Sequence, residues 1–139
     1  MREPDLTELA ARSAIERVLS DYAWGVDRRD WDRVRSCYHA DAHDDHGVYR
    51  GSIDGFVRYF SKVAASWDLT AHYVFPADIV FTGDGAAAAV ESKVVAHHVR
   101  GEDDLVMGAR YADRFERRDG DWRIAHRQVL VAWVRMTRN

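Results

Sequence analysis

Apolar residues in the first half of the chain recur at intervals of three and four positions, the period of a helix with one buried face. The first stripe consists of Leu9, Ile15, Val18, Leu19, Tyr22 and Val26. Asp5, with an acidic residue three positions later, predicts the start of this helix, and the stripe ends near Asp27. A second, short helix is expected from Asp30, and a third from a cap at Ser52 to about Trp67.

The pattern changes to that of strands after the third helix. Four long apolar segments follow, at roughly 69–81, 86–99, 105–117 and 122–136. Turn residues separate them, and Asp119-Gly120 favours a tight hairpin. Strands of this length predict a strongly twisted and bent sheet, with Pro76 at an edge or a bulge. Residues 39–51, rich in Asp, His and Gly, are expected to be irregular apart from a short strand around 47–49.

This order of elements predicts an α+β fold. We expect a strongly curved mixed β-sheet, a cone-like half barrel, with three N-terminal helices packed on its concave face around an apolar pocket. A chain of 139 residues fits a single domain spanning 1–139. The last strand is apolar on both faces, and the helices can cover only one. A homo-oligomer is therefore expected, with dimer and trimer both open.

Charge and composition narrow the classes of partner. The net charge is −3, the acidic and basic residues are mixed along the chain, and no basic patch indicates a nucleic-acid partner. Neither a membrane-spanning run nor a signal peptide is recognisable, so we expect a cytoplasmic protein without a membrane partner. The single cysteine, Cys37, forms no internal disulfide and has no evident activating base nearby in sequence.

Two ionisable residues stand where the pattern calls for apolar ones. Asp27 follows Val26 at the end of the first stripe, and His72 interrupts an otherwise apolar strand. A histidine is suited to general-base catalysis, because its ordinary pKa is near neutrality. A carboxylate bonded to the far ring nitrogen would fix its tautomer. Asp27 and His72 could form such a dyad; the alternative is a histidine that is merely satisfied within the core.

The same positions carry a family resemblance. The segments concerned are 9–15, 25–27, 71–73 and 111–122. They resemble the SnoaL-like branch of the nuclear transport factor 2-like superfamily, in the group that contains hexachlorocyclohexane dehydrochlorinase, bile-acid dehydratase and scytalone dehydratase. The resemblance covers nearly the whole chain. It implies a cystatin-like α+β barrel, no cofactor, frequent trimers, and a dyad in which His72 is the base and Asp27 its partner. It also implies that Arg127 assists the leaving group and that Tyr22 is a catalytic tyrosine.

Further residues of the strands and helices are expected in the pocket. Adjacent residues of a strand point to opposite faces, so only one of His97 and His98 enters the pocket. Spacing from His72 favours His97, with a surface or interface histidine as the alternative. The full set expected to bind substrate is His97, Met107, Tyr111, Phe56, Phe60, Trp67 and Trp31.

The expected hairpin raises a register problem for Arg127. A two-residue turn at Asp119-Gly120 sets Arg127 opposite Ala112, and only a bulge would bring it to the face of Tyr111. The alternative is an arginine paired across an oligomer interface. The same register sets Asp113 opposite His126, as a structural pair.

No cofactor site is recognisable. Three histidines and several aspartates within residues 39–46 are metal-ligand types, but their spacing fits no standard zinc motif, so no metal is expected and the segment is expected to rim the pocket. A phosphate-binding glycine loop, a Ser-His-Asp order and a dinucleotide fingerprint are all missing from the sequence.

The sequence therefore predicts a cofactor-independent lyase or isomerase, similar to a dehydratase or dehydrohalogenase, acting on a small hydrophobic molecule, cyclic ones included. Two alternatives stay open at this point. The first is a non-catalytic module that binds a small molecule in the same pocket. The second is a structural subunit similar to the small subunit of ring-hydroxylating dioxygenases, which shares the architecture.

Overall fold

Side-chain caps begin all three helices in the computed structural model of the chain, which describes residues 2–138. The helices are α1 (Leu6–Asp27), α2 (Trp31–Ser36) and α3 (Ile53–Ala65). The side chains of Asp5, Asp30 and Ser52 each accept a hydrogen bond from the backbone N–H three residues later. These caps confirm the helix starts predicted from the sequence.

The strands form one mixed sheet. They are β1 (Tyr38–Asp45), β2 (Arg50–Ser52), β3 (Leu69–Val74), β4 (Asp78–Thr82), β5 (Ala87–Arg100), β6 (Asp103–Arg118) and β7 (Asp121–Arg138). Their order is β2-β1-β7-β6-β5-β3, with β4 paired to the other half of β5. Among the strand pairs of residues 2–138, only β1–β7 is parallel. The sheet is curved and does not close, which confirms the predicted α+β fold.

Two local expectations were wrong. Residues 39–51, expected to be irregular, contribute most of β1 and part of β2, whereas 47–49 lie in the connection. The strand expected at 69–81 is divided into β3 and β4, because Pro76 between them has no N–H for the ladder.

The long hairpin of β6 and β7 contains both a predicted turn and two bulges. Asp119 and Gly120 form the two-residue turn, with φ of 51° and 83°. The register then shifts, leaving Ala125 unpaired, and shifts again at Ala132. The first shift is the bulge that Arg127 required.

This bulge corrects the predicted pairing. Arg127 lies opposite Asp113 rather than Ala112, and His126 lies opposite Arg114 rather than Asp113. Because directly opposed residues share a face, Arg127 lies on the concave side.

The core lies between α1 and the concave face of the sheet. Ile15, Leu19, Val34, Phe115 and Ile124 are at most 2% exposed. By contrast, the end of β7 carries exposed apolar side chains. They are Val131, Trp133, Val134 and Met136. Within residues 2–138, no helix is long and apolar enough to cross a membrane.

Candidate active site

An apolar cavity of about 240 Å³ lies between the helices and the concave face of the sheet. Its lining residues come from all three helices, from β3, β5, β6 and β7, and from the β1–β2 connection. This volume lies just below the roughly 300–1,000 Å³ of typical ligand pockets, so the cavity suits a small molecule. A few polar groups interrupt the apolar wall, and they define the chemistry of the site.

Asp27 and His72 are joined by hydrogen bonds. The His72 Nδ1–H donates to Asp27 Oδ1 at 2.7 Å, and the backbone N–H of His72 donates to Oδ2 at 2.8 Å. The Thr70 hydroxyl also donates to Oδ1, at 3.0 Å. The carboxylate thus receives three donors, two of which come from the histidine that it orients.

The elements around this pair set its geometry. Asp27 is the last residue of α1, where Gly25 allows α2 to approach so closely that a Cβ would lie 2.9 Å from a methyl of Val34. His72 lies in the middle of β3 and lines the cavity. Its side chain is 12% exposed and that of Asp27 is 20% exposed.

The pair has a defined chemical capacity. With Nδ1–H committed to the carboxylate, a neutral His72 carries its lone pair on Nε2. The adjacent carboxylate then stabilises the imidazolium that forms when Nε2 takes up a proton. The arrangement is that of a general base on a cavity wall.

The histidine of β5 that lines the cavity is His98, not His97 as the spacing favoured. β3 and β5 pair His72 with Ala96 and Ala71 with His97, so His97 points to the opposite face of the sheet. There its Nδ1 lies 3.0 Å from Asp104. The strand register, which depends on contacts distant in sequence, therefore decides between the two histidines.

His98 is held in a neutral form beside His72. Its Nδ1–H donates to the carbonyl of Leu105 at 3.2 Å, and its ring centroid lies 5.9 Å from that of His72. Burial lowers the pKa of His98 from its ordinary value. His72 consequently has an uncharged, polar neighbour in the cavity.

Most of the other predicted pocket residues do line the cavity. They are Tyr22, Trp31, Phe56, Phe60, Met107 and Tyr111. Trp67 does not; its ring contacts His98 at 5.5 Å, and the guanidinium of Arg100 lies 4.6 Å above it. Trp67 follows the end of α3 and packs against a cavity residue instead of lining the cavity itself.

Arg127 lies behind the aromatic wall of the cavity rather than on it. It is fully buried and donates two hydrogen bonds of 2.8 Å to Asp113, which is also buried. Its guanidinium stacks 4.5 Å from the ring of Tyr22 and 3.9 Å from that of Tyr111. This position explains the arginine without an oligomer interface.

The aromatic wall presents neutral hydroxyl groups. Burial raises the pKa of Tyr22 and of Tyr111 well above the ordinary value, and the nearby cation of Arg127 only partly opposes this effect. Both hydroxyls therefore stay protonated and can donate hydrogen bonds. Burial also raises the pKa of Cys37 to about 12, so its thiol is no nucleophile at neutral pH.

Sequence reasoning missed a second Asp–His pair. Asp44 lies on β1 and is fully buried, and one of its oxygens pairs with Nδ1 of His46, a cavity residue. The other histidines of this segment point elsewhere: His39 contacts the carbonyl of Glu116, and His43 stacks on His126. Asp44 lies near the end of β1 and His46 directly follows the strand, so an Asp-x-His spacing at a strand end was a usable signal once a strand was recognised there.

The fold and the cavity define a class of small α+β proteins in which a curved sheet encloses an apolar pocket with an Asp–His pair on its wall. A family model for the SnoaL-like domain matches residues 7–128, and the chain belongs to this family. The resemblance inferred from the sequence segments is thereby confirmed.

The characterised relatives include dehydrochlorinases. The chain is 30% identical to hexachlorocyclohexane dehydrochlorinase 1 of Sphingobium indicum, over 87% of this chain and 81% of the relative. A solved type 2 hexachlorocyclohexane dehydrochlorinase superposes with a TM-score of 0.88 at 25% identity, covering 96% of this chain and 93% of the other. The type 3 enzyme of Novosphingobium barchaimii gives 0.86 at 25% identity, covering 96% and 94%. These relatives support a lyase-type enzyme.

Proposed function

We propose that this protein is a cofactor-independent lyase or isomerase that acts on a small, mostly apolar substrate, cyclic ones included. His72 is the general base, and Asp27 orients it and stabilises its charge. The observation that carries the proposal is the 2.7 Å hydrogen bond between these side chains at an otherwise apolar cavity.

The reaction begins with a proton transfer from the substrate to Nε2 of His72. This nitrogen takes a proton from a C–H next to an activating group, and the electron pair of that bond forms a C=C bond. In an elimination the leaving group departs with its bonding pair; in an isomerisation the proton returns to another carbon. General-base catalysis contributes about 10²–10⁴ in rate, and the apolar cavity adds positioning.

Two further residues assist the reaction in this proposal. The hydroxyl of Tyr22 donates a hydrogen bond to the oxygen or halide that gains charge. Arg127 acts as a positioning residue, because its guanidinium underlies the rings of Tyr22 and Tyr111 rather than contacting the cavity.

A substrate panel with paired variants tests the dyad. The panel contains a hexachlorocyclohexane, a cyclic β-hydroxy ketone and a cyclic β,γ-unsaturated ketone, followed by chloride release and by absorbance of the new double bond. For any substrate turned over, His72→Gln and Asp27→Asn are expected to lower kcat by about 10²–10⁴. In Asp27→Asn, the introduced amide can donate to Nδ1, which moves the imidazole proton to Nε2 and removes the base.

The chain itself offers a matched control. His97 and Asp104 form a similar pair on the opposite face of the sheet, so His97→Gln and Asp104→Asn are expected to leave turnover within about twofold. If His72→Gln retains turnover within a few-fold, the general-base assignment is wrong. Saturable binding of panel compounds without any product would favour the non-catalytic binding module instead.

We further propose that the protein works as a homo-oligomer through the end of β7. Four large apolar side chains there are 42–51% exposed, and exposed apolar residues concentrated at one end of a strand are typical of an interface. Sedimentation equilibrium should give a dimer or a trimer, and Trp133→Glu should shift it to monomer. A monomeric wild-type chain at micromolar concentration would contradict the proposal.

A further inference from the structure

Asp44 and His46 repeat the arrangement of the first dyad at a different point of the cavity. The carboxylate of Asp44 pairs with His46 Nδ1 through one oxygen and accepts the Tyr38 hydroxyl at 2.8 Å through the other. The His46 ring contacts Phe56 and Phe60, with centroids 4.8 and 4.6 Å away, and lines the cavity. His46 is therefore an oriented imidazole with a face toward the substrate space.

The two dyads approach the cavity from opposite ends of the sheet. His46 directly follows β1 and His72 lies on β3, and these strands are separated by β7, β6 and β5 in the sheet order. The curvature of the sheet brings both imidazoles to one cavity of about 240 Å³. Both imidazoles therefore line the same small space.

The surroundings of the two carboxylates differ in charge. Asp44 is fully buried and lies next to Arg127 in the β1–β7 pairing. Within residues 2–138, however, Arg127 donates its side-chain hydrogen bonds to Asp113. Two buried carboxylates, those of Asp44 and Asp113, therefore lie beside one buried guanidinium, which leaves one negative charge without its own counter-charge. Such a charge is costly, and His46 is the group bonded to Asp44 that can supply a positive charge.

The carboxylate of the first dyad does not carry this cost of a buried charge. The carboxylate of Asp27 is 20% exposed and is satisfied by a hydroxyl and a backbone N–H as well as by His72. The two dyads thus present oriented imidazoles from different environments, and a difference in environment is how paired groups divide the base and acid roles.

A hydroxyl links the second imidazole to the aromatic wall. Nε2 of His46 lies 3.4 Å from the hydroxyl oxygen of Tyr22, which also lines the cavity. An imidazolium there donates its Nε2–H to Tyr22 or, in its place, to an oxygen of a bound substrate. Nε2 of His46 is consequently accessible from the cavity.

We propose that His46, held by Asp44, is the general acid of the reaction and that the substrate loses oxygen, as in a β-hydroxy carbonyl compound, rather than halide. This inference rests on the proposed function. His72 takes the C–H proton, and that electron pair forms the C=C bond. The C–O pair moves to oxygen, and His46 Nε2–H protonates it, so that the products are an enone and water. Solvent exchange then returns both imidazoles to their starting forms.

The choice of oxygen follows from the chemistry of the leaving group. Chloride departs as a stable anion and needs no proton, whereas hydroxide is a poor leaving group unless it is protonated as it departs. A general acid on the wall opposite the base would therefore add little to a dehydrochlorination. It is the group that a dehydration requires.

The test compares a cyclic β-hydroxy ketone with its β-chloro analogue. His46→Gln and Asp44→Asn are each expected to lower the rate of dehydration about 10²-fold or more beyond any effect on loss of chloride. His72→Gln should lower both rates. His43→Gln is the matched control, because this exposed histidine of β1 lies outside the cavity and stacks on His126. Circular dichroism and thermal melting select the variants that fold, and Asp44→Asn serves if His46→Gln does not.

The outcomes separate this inference from the proposed function. Turnover that depends on His72 but is lowered equally by His46→Gln for both substrates, or for neither, overturns the acid assignment and leaves the base intact. Turnover of the chloro analogue alone, if it depends on His72, also overturns the acid assignment and leaves the base assignment intact. Turnover of neither substrate overturns the substrate class, and turnover indifferent to His72→Gln overturns the proposed function itself.

Discussion

Loss of Arg127 alone should destabilise the protein far more than loss of Arg127 together with Asp113. The two side chains are fully buried and share two hydrogen bonds of 2.8 Å. In Arg127→Met, the carboxylate of Asp113 loses both donors and its counter-charge. Breaking a buried ion pair from one side costs about 3–5 kcal/mol.

This cost converts into a large shift in melting temperature. With an unfolding entropy of about 2.1 cal/mol/K per residue, a chain of 139 residues has about 0.29 kcal/mol/K. A loss of 3–5 kcal/mol thus lowers Tm by about 10–17 °C. The double variant Arg127→Met, Asp113→Leu removes both charges and should recover most of the loss.

The two single variants should differ. Asp113→Leu leaves the guanidinium between the faces of Tyr22 and Tyr111, which partly compensate its charge, so it should melt above Arg127→Met. In Arg127→Met, burial raises the pKa of the unpaired Asp113 carboxyl above its unfolded value. Its stability is then retained at low pH and lost as pH rises through the raised pKa. The deficit should be smaller at pH 5 than at pH 8.

Thermal melts followed by circular dichroism at both pH values test these statements. Melting of Arg127→Met within about 3 °C of the wild type would refute the reasoning, as would a double variant no more stable than Arg127→Met. A double variant that folds but has lost turnover would show that Arg127 contributes to the reaction beyond its ion pair.

Three further variants or probes test other parts of the structure. Gly25→Ala should lower stability by about 1 kcal/mol in urea unfolding, because crowding against Val34 outweighs the gain in helix propensity. Burial lowers the pKa of His98, so below pH 6.5 the unfolded chain binds more protons than the folded chain and the wild type loses stability. The variant His98→Gln should therefore lose less stability than the wild type on acidification in this range. Cys37 should react with a disulfide reagent at pH 8 only when the chain is unfolded, because it is buried and its pKa is raised to about 12.

Each of these has a result that contradicts it. A Gly25→Ala variant more stable than the wild type would mean that α2 can shift away from α1. Equal acid sensitivity of wild type and His98→Gln would assign the loss to other histidines. Rapid modification of Cys37 in the folded chain would indicate an opening of the helical layer.

Features encoded by a few adjacent residues could be predicted from the sequence. The caps at Asp5, Asp30 and Ser52 and the turn at Asp119-Gly120 depend only on local backbone chemistry. The apolar periodicity likewise located the helices and the long strands. Leu9 shows the limit of this signal: it continues the stripe of α1 in sequence, yet it is 47% exposed, whereas Ala11 in the same part of the helix is buried.

Features set by pairing between distant segments could not be predicted. The bulge at Ala125 has no local signal, and it alone moves Arg127 opposite Asp113. The choice between His97 and His98 depends in the same way on the register of β3 against β5. A shift of one residue reverses the face of every side chain, so local spacing cannot substitute for the register.

The polar strand β1 was missed for a different reason, and that reason bears on function. Its inward positions include a carboxylate, Asp44, where a strand pattern calls for an apolar residue. Such a residue is tolerated only if distant partners satisfy it, here Tyr38, His46 and the neighbouring charge of Arg127. The residue that breaks the apolar pattern of the strand, Asp44, is thus the same residue that brings a carboxylate to His46. Violations of the hydrophobic pattern on a cavity-facing strand therefore mark candidate chemistry, and both Asp–His pairs of this cavity arise from them.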